Sequence, residues 1–154
     1  MKLVPYDPKY KNDFIEMNKQ WISEMFVIEQ EDLDMLNNIE KKIEEGGQIF
    51  FAVDEEDDSQ VLACCMIAPL PNKEWEIEKF CAKGMYTGTG AGSACLKACI
   101  DYARERKVEK IVIVTNAKCE HAVRLYRKFG FVEVPVDRKK FTYERAGLAF
   151  EMDL

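Results

Sequence analysis

The stretch Met85-Tyr-Thr-Gly-Thr-Gly-Ala-Gly-Ser-Ala-Cys-Leu96 sets glycines at 88, 90 and 92, and helix-forming residues follow at once. Glycine packs no side chain and costs conformational entropy. Such a cluster therefore marks a tight turn, a linker, or a close approach of backbone to a ligand. The flanking sequence chooses among these. Upstream, Trp75 to Ala82 reads as a strand. Downstream, Cys95, Leu96, Cys99, Ile100 and Ala103 fall on one stripe, with Ser93, Lys97, Asp101, Arg104 and Glu105 opposite, the pattern of an amphipathic helix packed on a sheet. The glycines join a strand to a helix, which excludes a linker.

A glycine turn leading into a helix is a natural anion site, because the first helical N–H groups lack carbonyl partners and the helix dipole is positive there. Two phosphate loops fail on spacing. A P-loop needs Gly-Lys-Ser/Thr, and Gly92 is followed directly by Ser93. A dinucleotide fingerprint needs G-x-G-x-x-G and an acid at the end of the next strand; here the third spacing is wrong and that strand ends in Thr115-Asn116.

Further out, Lys2 to Tyr6 reads as a short strand. Lys9 to Phe26 reads as a helix with Phe14, Met17, Trp21 and Met25 at helical spacing, and Glu31 to Glu45 as a second helix stopped by Gly46-Gly47. Gln48 to Asp54 and Val61 to Pro69 form a hairpin across the acidic turn Glu55 to Ser59. The continuous apolar run Ile111 to Val114 suits a strand buried on both faces. Ala122, Leu125, Tyr126 and Phe129 mark a helix ended by Gly130, and Phe131 to Val136 and Gly147 to Leu154 close the chain as strands. The order β-α-α-β-β-β-α-β-α-β-β predicts one α/β domain over residues 1–154. Its mixed sheet has about seven strands, with helices on both faces.

The 154 residues suit one core rather than two. No apolar run reaches signal-peptide or membrane-span length, so the expected location is the cytoplasm and no membrane partner is expected. Six cysteines without a C-x-x-C pair read as small hydrophobes of the core rather than disulfides or metal ligands. The net charge of −6 argues against nucleic acid, yet residues 1–78 carry 7 basic and 19 acidic side chains and residues 79–154 carry 15 and 9. The basic half suits a polyanion and the acidic half a cation. His121 is the single histidine and is expected at the surface, so a histidine triad or multi-histidine metal site is not expected.

The segment "TGTGAG", Thr87 to Gly92, resembles the acetyl-CoA loop of the GCN5-related N-acetyltransferases, whose pattern is Gln or Arg, two residues, Gly, one residue, then Gly or Ala. "EIEKFCAKGMYTGTGAG", Glu76 to Gly92, is similar to that family's fourth strand and pyrophosphate loop. "VTNAKCEHAVRLYRKFGFVEV", Val114 to Val134, is similar to its next strand, helix and strand, and the ending "FTYERAGLAFEMDL" to a final strand in part of it. The resemblance is strong over residues 74 to 136. It implies an N-acetyltransferase that moves acetyl from acetyl-CoA to a primary amine of a small molecule or peptide in a ternary complex, without a metal. It leaves open a cofactor-binding regulatory module of the same fold.

Carried over by residue, the resemblance implies that N–H groups across Gly88, Thr89, Gly90, Ala91, Gly92 and Ser93 bind pyrophosphate. It also implies that Phe80, Cys81 and Ala82 pair with the pantetheine arm. Thr87 stands where the family has Gln or Arg, so a long polar side chain is replaced. Cys119 stands where many members have asparagine, and Asn116 is the nearby substitute. Tyr126 matches the tyrosine that protonates the departing thiolate, though its apolar stripe equally suits a core tyrosine. Glu78 matches a carboxylate that takes the amine's proton, with a lysine ion pair as the other reading. Lys118 could reach a phosphate or simply be solvated. Trp21, Phe26, Glu29, Tyr143 and Arg145 are candidates for the acceptor side, and edge pairing through the last strands would give a homodimer.

Overall fold

The computed structural model describes residues 1–84, 88–142 and 144–154. It contains β1 (Lys2–Pro5), α1 (Lys11–Met25), α2 (Gln30–Asn37), α3 (Ile39–Glu44), β2 (Gln48–Val53), β3 (Val61–Pro69) and β4 (Glu74–Ala82). These are followed by α4 (Ala91–Glu105), β5 (Lys110–Thr115), α5 (Glu120–Lys128), β6 (Val132–Val134) and β7 (Leu148–Asp153). The expected elements are present with shifted ends, except that the second helix is divided. At Asn38 the backbone leaves helical geometry, and its side-chain Nδ2 donates to the Asp34 carbonyl at 2.7 Å. A short amide side chain that satisfies the backbone in this way competes with helix continuation.

The strands form one sheet in the order β1-β2-β3-β4-β5-β7-β6. All neighbours are antiparallel except β4 and β5, which run parallel because α4 crosses between them. The last strand lies inside the sheet between β5 and β6, so of the two closing strands only β6 is a sheet edge, with β1 at the other end.

Each face of the sheet carries its own core. On one face, Cys95, Leu96, Cys99 and Ile100 of α4 and Leu125 and Tyr126 of α5 pack on Ile77, Ile111 and Phe150. On the other, Phe14 and Met17 of α1, Leu36 and Ile39 cover Phe51, Cys64 and Met66. The rings of Phe14 and Phe51 meet edge-on with centroids 6.3 Å apart. The cysteines behave as core residues: Cys64, Cys65, Cys81, Cys95 and Cys99 are buried, and Cys119 is half-buried. Among the described residues no helix is long and apolar enough to cross a membrane.

Two irregularities create a cleft. Strands β4 and β5 pair only over Glu74–Glu76 with Lys110–Val112, and beyond Glu76 they separate. Opposite Cys65, β4 carries a bulge: Cys64 pairs with Cys81 and Met66 with Glu78, so Lys79 and Phe80 together face one residue. Lys79 sits there at φ 53°, in the left-handed region. The opening lies at the carboxyl ends of two parallel strands, where ligands bind in open α/β sheets.

Candidate active site

A cavity of about 740 Å³ fills the gap between β4 and β5. Glu76 to Ala82, Ile113 to Asn116, the glycine turn and the start of α5 line it.

On one side the wall is backbone. Gly90 caps α4 at φ 93° and Gly88 has φ 85°, conformations that residues with a Cβ avoid. A Cβ at either position would meet no atom within 4 Å, so both face open space. The first intrahelical bond of α4 runs from the Ala94 N–H to the Gly90 carbonyl at 3.0 Å, which leaves the N–H groups of Ala91, Gly92 and Ser93 ahead of it. At Gly92 the constraint is different. A Cβ there would lie 3.0 Å and 3.1 Å from ring carbons of Phe80, so glycine lets α4 settle on β4. Thr87 lies outside the described residues, as does Tyr143.

Phe80 packs against Tyr126 with ring centroids 6.0 Å apart, and Phe131 and Phe150 hold the tyrosine from behind at 6.2 Å and 5.9 Å. Tyr126 is at once a core tyrosine and a lining residue of the cavity. Burial, followed by nearby cysteine sulfurs, pushes its hydroxyl well above the usual tyrosine range, so it stays protonated and able to donate. Cys81 points to the opposite face and approaches Cys64, Sγ to Sγ, at 3.4 Å. Asn116 lines the cavity with both ends of its amide engaged: Nδ2 donates to the Arg145 carbonyl at 2.9 Å and Oδ1 accepts from the Lys118 N–H at 3.0 Å. It fixes the turn into α5 and the last loop, so its expected contact with a cofactor would have to be shared with those bonds.

The other side of the cavity is built from charged side chains. Glu76 and Glu78 project from the same face of β4, which sets their carboxyls side by side. The bulge turns Lys79 to that face too, where its Nζ lies 3.6 Å from Asp32 Oδ1 and 4.0 Å from Glu78 Oε1. Lys42 of α3 reaches Glu78 Oε2 at 3.9 Å. Asp32, fully buried on α2, is held by two Arg145 nitrogens, and Arg145 Nη1 also reaches Glu29 Oε2 at 3.3 Å. Glu29 and Asp32 cap each other at the start of α2, which fixes both carboxylates before Arg145 arrives.

These partners set the ionisation. Burial works against the charge on Glu78, but Lys79, Lys42 and the contact with Glu76 outweigh it and hold its carboxyl below the usual range. Burial likewise opposes charge on Asp32, and the Arg145 bonds outweigh it. Glu76 shifts the other way: burial, then the adjacent Glu78 charge, pushes it well above the usual carboxylate range.

Of the residues expected on the acceptor side, Trp21, Phe26 and Arg145 line the cavity, with Arg145 stacked 6.0 Å from the Trp21 ring and Lys118 5.4 Å from that of Phe26. Lys118 is thus placed on an aromatic ring beside the cavity. His121 is exposed at the cavity rim. Glu76, Lys79, Asp32 and Lys42 were missed by the sequence reading. The run Glu76-Ile-Glu78-Lys79 did carry a signal, since charges alternating with apolar residues on an interior strand must face a cavity or each other. Asp32 carried none.

A model of the acetyltransferase (GNAT) family matches residues 15–131, and the chain belongs to that family. It is therefore an acetyltransferase by family, and its sheet is the sheet of that fold. An acetyltransferase of the GNAT family from Staphylococcus aureus Mu50 superposes with a TM-score of 0.88 at 20% identity, over 99% of this chain and 98% of that one. The ribosomal-protein-alanine N-acetyltransferase of Brucella melitensis gives 0.80 at 19%, over 100% of both chains. The PaiA N-acetyltransferase of Thermoplasma acidophilum, solved in complex with coenzyme A, gives 0.74 at 12%, also over 100% of both. No curated protein matches the chain. Among the described residues no group of three His, Cys, Asp or Glu is placed to hold a metal ion.

Proposed function

We propose that the protein transfers acetyl from acetyl-CoA to a primary amine of a small molecule or peptide by direct attack, with both substrates bound together. The observation that carries this reading is that one strand, β4, separates a row of bare N–H donors from an acidic pocket, both opening on one cavity with Tyr126. Acetyl-CoA would supply an activated thioester. The donor turn fits its pyrophosphate, because Gly88 and Gly90 leave room for an anion against the α4 N-terminus.

Glu78, ionised at neutral pH, accepts a proton from the acceptor's ammonium group, leaving a free amine able to attack. A backbone N–H of Cys81 or Ala82, on the part of β4 that has left β5, donates to the carbonyl oxygen as negative charge develops there. Tyr126 gives its proton to the departing sulfur, and the proton that the attacking nitrogen sheds as the amide forms passes through solvent to restore it. The carboxylates recruit a cationic amine, and Trp21 and Phe26 favour an apolar group beside it. The Brucella protein, named as a ribosomal-protein-alanine N-acetyltransferase, and the Thermoplasma N-acetyltransferase, solved with coenzyme A, support an amine acceptor and the cosubstrate.

The test is thiol release from acetyl-CoA with a panel of polyamines, arylalkylamines, amino acids and peptides, alongside calorimetry of acetyl-CoA binding. Binding with at least one amine raising turnover is expected. Binding without turnover on any acceptor would favour the regulatory module, and no binding would end both readings.

A further inference from the structure

The charges around Glu78 balance with one carboxyl to spare. Lys79, Lys42 and Arg145 are taken up by Asp32, Glu29 and Glu78 in ion pairs. Glu76 belongs to the same cluster, is 7% exposed, and makes no ion pair among the described residues. An ionised carboxylate buried without its own cation is costly, whereas a neutral carboxylic acid in the same place is satisfied by one good acceptor. That acceptor is beside it. The pleat puts residues 76 and 78 on one face of β4, and two carboxyl groups can bond to each other only if one keeps its proton.

We propose that Glu76 is a positioning residue of the transfer reaction: a neutral carboxylic acid that donates its proton as a hydrogen bond to Glu78, keeping Glu78 ionised and fixing which of its oxygens faces the amine. This rests on the reading of Glu78 as the base. During turnover the ammonium proton passes from nitrogen to Glu78 and returns to solvent when product leaves, while the Glu76 proton stays on Glu76. The groups that face the pair are Asp32 and Glu29 from α2 and its cap, Lys42 from α3, Lys79 from the bulge and Arg145 from the last loop. Lys79 and Lys42 lie within ion-pair reach of Glu78, so Glu78 carries the charge and Glu76 the proton.

The experiment compares pH profiles of kcat/KM for the wild type, Glu76→Gln and Glu76→Leu, with thermal melts to establish folding. Glu76→Gln keeps a donor and cannot ionise. It should hold kcat/KM within about threefold of wild type and leave the acidic limb in place. Glu76→Leu removes the donor, so Glu78 becomes more basic. The acidic limb should move up by about one pH unit and kcat/KM fall about tenfold, with the KM for acetyl-CoA unchanged.

If Glu76 is instead ionised, Glu76→Gln removes a like charge and the limb moves to lower pH, which overturns the proposal, as does equal damage from both variants. Carboxyl ¹³C NMR of the unliganded protein decides the point without activity, and without Glu76→Leu should it fail to fold. A protonated Glu76 at pH 7 that changes in Glu78→Gln is expected, and an ionised one ends the proposal. An acidic limb that survives Glu78→Gln while Glu76 is protonated would overturn the base reading, and the positioning role with it.

Discussion

The two sides of β4 solve recognition by different means. Toward α4 the wall is main chain: three glycines, a helix start and a phenylalanine ring, with donors whose direction is set by backbone geometry. Toward α2 it is side chain: four carboxyls and three cations, linked to one another by ion pairs and by the contact between Glu76 and Glu78. A backbone donor survives most substitutions around it, so the first wall can bind a constant ligand such as pyrophosphate through sequence drift. A buried ion network has no such tolerance, since removing one member strands the others. Under the proposed function, the constant substrate would meet the robust wall and the variable substrate the tuned one.

The largest expected effect breaks the tuned side alone. Asp32→Ala leaves Arg145 and Lys79 without the buried carboxylate they share. It should cost about 3–5 kcal/mol and lower the melting temperature by at least about 6 °C, while calorimetry finds acetyl-CoA affinity within about threefold of wild type. A melting shift under about 2 °C would show that the network contributes little net stability.

Tyr126→Phe removes one hydroxyl and keeps the aromatic packing. Turnover should fall about 10²-fold with cosubstrate affinity intact, and unchanged turnover would take Tyr126 out of the chemistry. On the backbone side, Gly90→Ala forces a Cβ onto a left-handed cap and should cost about 1–2 kcal/mol. Its acetyl-CoA affinity should weaken up to about tenfold while the acidic limb of the rate profile stays where it is. Wild-type affinity in that variant would remove the turn from the anion site.

The smallest effect is one of pH. Glu76 has a folded-state pKa raised above its unfolded value near 4.3, so the folded state holds a proton that the unfolded chain releases. Its contribution to stability is present below that value and declines, by at most about 1.4 kcal/mol per pH unit, as pH rises toward the folded value. Glu76→Gln abolishes that slope, and melting curves between pH 4.5 and 7 should show the variant gaining on the wild type. Parallel curves would mean that Glu76 titrates alike in both states.

The backbone wall was legible in the sequence because it is contiguous. Gly88 to Ser93 lies between a strand and an amphipathic helix, and each local signal points to the same turn. The strand order past β5 was not legible, since nothing local tells β7 to insert between β5 and β6. The ion network was mostly hidden for the same reason. Asp32 sits in a helix with abundant surface acids, and nothing within that helix distinguishes the one acid that is buried. Glu78 and Arg145 were readable only through resemblance, and Glu76 only to a reader who asked where its side chain must point. The break at Asn38 turns on a single amide-to-carbonyl bond, a choice that helical periodicity over Glu31 to Glu45 does not reveal.

The bond between Arg145 and Asp32 also bears on the order of assembly. Its partners are 113 positions apart, whereas β2, β3 and β4 pair as successive hairpins. Contacts of long sequence separation carry the larger loop-closure cost and tend to form late. The central hairpins and α4 can therefore be in place while α2 still waits for the last loop. The acidic side of the cavity is then the last part of the molecule to acquire its shape.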